Sequence, residues 1–512
     1  MNRYVKPLPP LQVPLLVAIG AAAVLAHLLT ITNYGFFRDE FYLVACSQRL
    51  ALGYVDHPPL SPAVLAVVRR LFGDSLPAIR IAPVLAAGLV TFLAGVLARE
   101  FGGNRLGQGL SALCVAFCPL YLALFHTYSL NFLDILFWTL ALLVVTRIMR
   151  TGQTRLWLLF GIIAGLGLLN KISILFLGFG LVVGLLLTRE RKQFSSGWFW
   201  TGGLVAALLF LPHVIWQAQH GWPTLEFMEN AKAFKMLALS PVDFLLAQAL
   251  GLNLLAAPVW LAGLYYFFFN WRAGEYRLFG WMYLAILALM ILQGAKSYYL
   301  APVYPVLFAA GGLQLERLFQ RLSWKGLAPV YFGVLVVSAV AAAPMAMPVL
   351  PPETYIRYSK ALGLQPAQEE RHEMGPLPQF FADMFGWPEM VANVAKVYDS
   401  LPAEDRSKCA IFGQNYGEAG AVDLLGSRYG LPDAISGHNN YWLWGPRGYT
   451  GEVVIVIGGK GDRLRELYRN ATAAGRVSHP YSMPYENDLT IWVARGRKET
   501  LQSTWARTKH YD

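Results

Sequence analysis

Long apolar runs separated by short polar breaks fill the first 349 residues. A membrane-crossing helix needs about 20 mostly apolar residues. On that measure eleven spans are predicted, over 11–31, 79–98, 107–125, 132–149, 156–170, 172–188, 198–216, 245–269, 278–294, 299–315 and 327–349. The first run could be a signal peptide, with Ala-rich small residues at 21–26, but its length and weak basic start favour a membrane span. Between the first two spans lies a long loop, 32–78, that reads as two short surface helices over 39–52 and 59–72. The second opens at Pro58-Pro59, where the missing N–H would be unpaired anyway. A second long loop covers 217–244. Beyond residue 350 the pattern changes to strand-like runs at 409–412, 453–457 and 489–494, with helix-like stretches at 388–400, 417–426 and 461–472. The expected fold is a polytopic α-helical membrane domain, 1–349, followed by a small α/β domain, 350–512.

Composition narrows the class. Of 512 residues 56% are hydrophobic and 14% charged, against about 25% charged in soluble proteins. This excludes a soluble enzyme, a disordered protein and a nucleic-acid binder, and makes the lipid bilayer a partner. Residues 1–349 carry 24 Lys and Arg against 12 Asp and Glu, whereas 350–512 carry 18 against 19. The basic excess therefore belongs to the membrane part, where it sets orientation. With the N-terminus in the cytoplasm, the inside segments hold 15 basic residues, among them Arg3, Lys6 and Lys325, against 4 acidic ones. An odd number of spans then puts the tail outside, in the periplasm if the membrane is a Gram-negative inner membrane. The four cysteines include no CxxC, so neither a disulfide framework nor a zinc site is expected.

Several polar groups interrupt this pattern. Asp39-Glu40, preceded by Arg38, opens the first outer loop. Adjacent carboxylates there suit a general base or a divalent cation such as Mg or Mn; they equally suit a solvated helix start. Asp56-His57 precede Pro58-Pro59-Leu60, either facing Asp39 or forming a polar turn. Asn131 and Asp134 share one face at the start of the fourth span. An acid beside an apolar run implies function or an ion pair, with Lys171 the candidate partner. Lys171 and Lys296, in Gly294-Ala295-Lys296-Ser297-Tyr298-Tyr299, suit a phosphate at the membrane surface or snorkel to headgroups. In the tail, Gln414-Asn415-Tyr416-Gly417-Glu418 and the aromatic stretch Gly437–Trp444 suit either a sugar or docking onto the membrane part. Gly458-Gly459-Lys460-Gly461 lacks nucleotide-binding spacing.

In order and spacing, these features resemble the membrane glycosyltransferases of the GT-C fold. The carriers are the carboxylate pair after the first span, the following Pro-Pro-Leu, the polar–Asp start of the fourth span, and Lys296-Ser297-Tyr298-Tyr299-Leu300-Ala301-Pro302-Val303-Tyr304-Pro305. More narrowly the chain is similar, over about 30–310, to glycosyltransferase family 39, which includes protein O-mannosyltransferases and aminoarabinose transferases. The resemblance implies a polyprenyl-phosphate-linked sugar donor, an acceptor lipid, glycan or protein, and inverting transfer on the outer face. It implies Asp39 as the catalytic carboxylate, Glu40 as its support or metal partner, and Asp134 as the acid of the fourth span. His57 stands where the aminoarabinose transferases have Lys. A neutral imidazole is the weaker phosphate partner, so Lys296 or Lys171, with Tyr299, would complete the donor contact. The competing reading is a lipid or solute transporter, which predicts repeats, mid-membrane helix breaks and midplane charges. A non-catalytic scaffold is the third.

Overall fold

The computed structural model describes residues 7–512 except 238, 323–325, 367 and 369. Arg3, Lys6 and Lys325 thus lie outside the described residues. Two compact units emerge. One holds Met1–Ile31, Pro77–Ile215 and Leu237–Val349; the other holds Thr32–Leu76, Trp216–Met236 and Leu350–Asp512. The second unit takes up the chain again at Leu350, and it also includes most of both long loops.

The first unit is helical. Six helices among the described residues are long and apolar enough to cross a membrane: Val13–Thr30, Leu76–Glu100, Leu130–Thr151, Gly197–Gln219, Trp271–Gln293 and Leu327–Met345. Leu156–Asn170 and Ile174–Leu186 are apolar but shorter. Large side chains such as Trp200, Leu204, Leu208 and Leu211 face outward, as suits hydrocarbon surroundings. Three expected spans are broken. Residues 107–125 split into Arg105–Ala116 and Pro119–Leu124, because a proline starts a helix readily and continues one badly. Residues 245–269 split into Pro241–Gly251 and Leu254–Phe269, bent by 89°. Asn253 sits at that break with φ +68°, and its side chain accepts from Leu255 N at 3.1 Å. Residues 299–315 begin as a 3₁₀ turn, Ser297–Val303, before the α-helix Tyr304–Arg321.

Close packing inside this unit uses small residues. A Cβ on Gly311 would lie 1.7 Å from the Val259 carbonyl oxygen, and one on Gly263 would lie 2.2 Å from that of Leu307. Helices Ala257–Phe269 and Tyr304–Arg321 therefore meet backbone to backbone. Buried charge is paired: Glu100 accepts from Arg147 Nε at 3.0 Å and Arg150 Nε at 2.8 Å.

The second unit is built on a five-stranded sheet. Its strands are β1 (Cys409–Gly413), β2 (Ala434–Ser436), β3 (Val453–Ile457), β4 (Tyr468–Val477) and β5 (Leu489–Arg497), in the order β2-β1-β3-β5-β4. The first three are mutually parallel; β5 runs antiparallel to β3 and to β4. All five residues of β3 are buried, as a central strand covered on both faces requires. One face packs on helix Trp387–Asp399 through Met390, Val391 and Val394, and on helix Tyr416–Leu425 through Ala419 and Val422. The same core contains Phe41, Tyr42, Ala45 and Cys46 of the first-loop helix Arg38–Gln48. The opposite face is covered by Leu464, Leu501 and Trp505. Strand β4 was expected as the end of a helix over 461–472; the helix stops at Leu467. Its residues are mostly exposed, and the buried Tyr468, Ala471 and Val477 do not alternate, so this edge strand carries little strand-like apolar signal.

Candidate active site

In the second unit the first-loop helix begins at Arg38. Glu40 is fully buried and folds back on its own helix start, where its Oε2 accepts from Phe37 N at 2.8 Å. Asp39 projects elsewhere, and its side chain is 41% exposed. Successive helical residues point about 100° apart, so these two carboxylates do not converge on one ion.

Asp39 is held through one oxygen. Its Oδ1 accepts from the Tyr416 hydroxyl at 2.9 Å and lies 3.8 Å from Arg38 Nε. Two glycines bring Tyr416 there. A Cβ on Gly420 would sit 2.8 Å from Phe41 Cβ, and one on Gly417 would sit 2.5 Å from Arg38 Cγ. Helix Tyr416–Leu425 can therefore lie directly against helix Arg38–Gln48.

Arg38 is buried in an acidic surround. Its Nη1 donates to Tyr485 Oη at 2.5 Å, and its Nη2 lies 3.8 Å from Glu370 Oε2. Tyr485 in turn donates to Asp383 Oδ1 at 3.0 Å. Burial pushes the Asp383 carboxyl up to about 6, against the pull of Arg38. Behind this group Glu418 and Glu486 form a buried carboxyl pair, both raised by burial. Glu418 Oε2 accepts from Gln414 N at 2.6 Å and Glu486 Oε1 from Asn415 Nδ2 at 2.7 Å.

Asp56 and His57 lie on the same scaffold. Tyr42 stacks on Tyr416 at 4.6 Å and donates to Asp56 Oδ1 at 2.7 Å. One stacked tyrosine thus holds Asp39 and the other holds Asp56. The buried His57 lies with Nε2 3.9 Å from Asp56 Oδ1 and Nδ1 2.9 Å from Pro58 O. Asn440 Oδ1 accepts from Val55 N at 2.7 Å, which ties this turn to the tail. Both tail motifs thus make contacts with the first long loop inside this unit. His438, His510 and Asp512 have metal-ligand spacing. However, His438 Nδ1 already accepts from Tyr416 N at 3.3 Å, so Nε2 carries the proton and donates to Asp512 O at 2.9 Å, with Asp512 Oδ1 at 3.1 Å. That is a closed hydrogen-bonded pair.

In the first unit a second cluster forms. Lys171 Nζ donates to Asn131 Oδ1 at 2.8 Å, lies 3.6 Å from Asp134 Oδ2, and sits 4.8 Å over the Tyr299 ring. Asp134 Oδ1 also accepts from Ser173 Oγ. The ion pair foreseen between Asp134 and Lys171 is present. Lys296 is half-buried at the start of the turn that carries Tyr299, and its carbonyl accepts from Tyr299 N at 3.1 Å. Tyr416, Tyr42, Asp383, Glu370 and Tyr485 were not singled out from sequence. Only Tyr416 lay within a quoted motif; the others carry no local signal.

Comparison with known proteins adds the family context. Residues 56–216 match the family described as dolichyl-phosphate-mannose-protein mannosyltransferase. The lipid A galacturonosyltransferase RgtD of Rhizobium johnstonii is 24% identical over 293 residues, 56% of this chain and 61% of that protein. The chain thus spans less than two thirds of this curated relative. The crystal structure of ArnT from Cupriavidus metallidurans bound to undecaprenyl phosphate superposes with TM-score 0.62 at 14% identity, covering 94% of this chain and 97% of that one. The chain has the GT-C fold. Apo ArnT matches this GT-C chain over the same shares, with TM-score 0.60 at 16% identity. The family match takes in Asp56, His57, Asn131, Asp134 and Lys171 and begins beyond Asp39.

Proposed function

We propose that this GT-C protein transfers a sugar from a polyprenyl-phosphate donor to an acceptor hydroxyl, at the outer face of the inner membrane. The observation that carries this reading is the state of Asp39. It is a half-exposed carboxylate anchored through Oδ1, on a helix otherwise almost wholly buried. Oδ2 accepts no hydrogen bond among the described residues, and it takes the proton of the acceptor hydroxyl. The acceptor oxygen then attacks the anomeric carbon. The bond from that carbon to the phosphate oxygen breaks, and the lipid phosphate leaves with the electron pair. One displacement inverts the centre.

The leaving phosphate needs cations. Lys171, oriented by Asn131 and Asp134, and Lys296 supply them, with Tyr299 beneath Lys171. Asp134, the acid of the fourth span, orients Lys171 from 3.6 Å. Asp56 and His57 shape the neighbouring turn. The acceptor is a lipid, glycan or protein; lipid A and a uronic acid are supported by the galacturonosyltransferase relative. Broken spans, the sharpest of them bent by 89° at Asn253, are a feature that a transporter would share. The cavity beside it, lined by Cys114, Cys118, Asn253 and Leu335, holds about 10 Å³, room for one water.

The test is transfer by purified protein in detergent. Radiolabelled undecaprenyl-phosphate galacturonic acid, aminoarabinose and mannose are supplied separately, with a lipid extract from native membranes. Wild type should discharge one donor, and Asp39→Asn should discharge none while folding normally. A fully active Asp39→Asn protein removes Asp39 from the mechanism.

A further inference from the structure

We infer that Tyr416 is a positioning residue, which fixes the rotamer of Asp39 so that Oδ2 faces the acceptor. The inference rests on the reading of Asp39 as the base. Asp39 alone is poorly constrained: it is 41% exposed, and Arg38 Nε at 3.8 Å is beyond hydrogen-bond reach. The hydroxyl of Tyr416, at 2.9 Å from Oδ1, is the donor that holds it among the described residues.

That hydroxyl is itself fixed. The Tyr416 ring is 6% exposed and lies against Tyr42, with centroids 4.6 Å apart and planes 26° apart, and against His438 at 4.5 Å. Its backbone N donates to His438 Nδ1 at 3.3 Å. Burial holds the phenol well above its ordinary pKa, so it stays a proton donor to the carboxylate across the working range. A rigid donor on one carboxylate oxygen leaves the other with a defined direction. This resembles the way a catalytic base in other enzymes is oriented by a third group. The role of the tail is thereby specific: it supplies the group that aims a carboxylate carried by the first outer loop.

The test compares wild type, Y416F, D39E and the D39E/Y416F double variant in the transfer assay above. Y441F is the control, because Tyr441 is equally buried in the same unit and donates to Asp423 Oδ2 at 2.9 Å. Y416F keeps the ring and its stacking. Its kcat should fall by about tenfold or more, with KM for the lipid donor within about twofold. The double variant should be no slower than D39E, and Y441F should match wild type. A rise in KM alone would show that Tyr416 contacts the donor, and overturns the inference. Losses that multiply in the double variant do the same. Wild-type kcat in Y416F beside an inactive D39N overturns this inference and leaves the base assignment standing. An active D39N overturns both. A high-resolution structure of Y416F supplies a readout that needs no substrate. Asp39 should turn from its wild-type rotamer while the surrounding helices superpose; an unmoved carboxylate overturns the inference.

Discussion

Asp383 illustrates the residue scale. Its carboxyl is held up at about 6, from an ordinary 3.8, because burial disfavours its charged form more than Arg38 favours it. Between those values the folded protein binds a proton that the unfolded chain has released. The contribution is therefore fully present below about pH 4 and is lost as pH rises to about 6. Asp383→Asn should remove that slope. Thermal unfolding in detergent from pH 4 to 7 should give a flatter curve for the variant than for wild type; parallel curves would contradict the assignment. At this scale the sequence was legible where chemistry and local spacing coincide. Asp39, Asp56, Asn131, Asp134 and Lys171 stand out as polar breaks in apolar surroundings, and the Asp134–Lys171 pair follows from its setting. Tyr416, Asp383 and Tyr485 do not, because they meet Arg38 and Asp39 only after the chain has returned across more than 300 positions. Nothing local marks a tyrosine that serves a distant acid.

At the scale of elements, the decisive contact is between helices Arg38–Gln48 and Tyr416–Leu425. Gly420 makes it possible, since any Cβ there would meet Phe41 Cβ at 2.8 Å and Phe41 O at 3.0 Å. Gly420→Ala should push the helices apart, cost about 1–3 kcal/mol and lower kcat along with the melting temperature. Gly178→Ala, where a Cβ meets nothing within 4 Å, should do neither. Equal behaviour of the two variants would show that this contact does not depend on the missing side chain. The elements themselves were largely visible in the hydrophobic pattern. Both first-loop helices, the central strands and the helix Trp387–Asp399 fall close to their expected ranges. The misses share a cause. Apolar periodicity reports burial, so it is silent on the exposed edge strand β4 and blind to a backbone break such as Asn253 inside an apolar run.

At the scale of the molecule, the proposed orientation can be read with maleimides. Cys46, Cys114, Cys118 and Cys409 are all buried, so the native chain should be nearly silent to a membrane-impermeant reagent. A cysteine replacing the exposed Ser427 should be labelled in intact spheroplasts, and one replacing the exposed Gln153 only after permeabilisation. The reverse pattern would invert the topology. The positive-inside count supports the expected pattern. What the linear pattern hides is that the second unit is discontinuous. Its core takes Phe41, Tyr42, Ala45 and Cys46 from near the start of the chain and the sheet from its last third. During synthesis the helix bearing Asp39 is made early and then waits, without the partner that completes its packing, while the helices of the first unit are inserted. Long-range closure of this kind is slow and comes late. A growing chain would thus hold Asp39 on an unfinished helix until Tyr416 and the sheet have been made, and one that stopped before Tyr416 would leave that carboxylate unanchored.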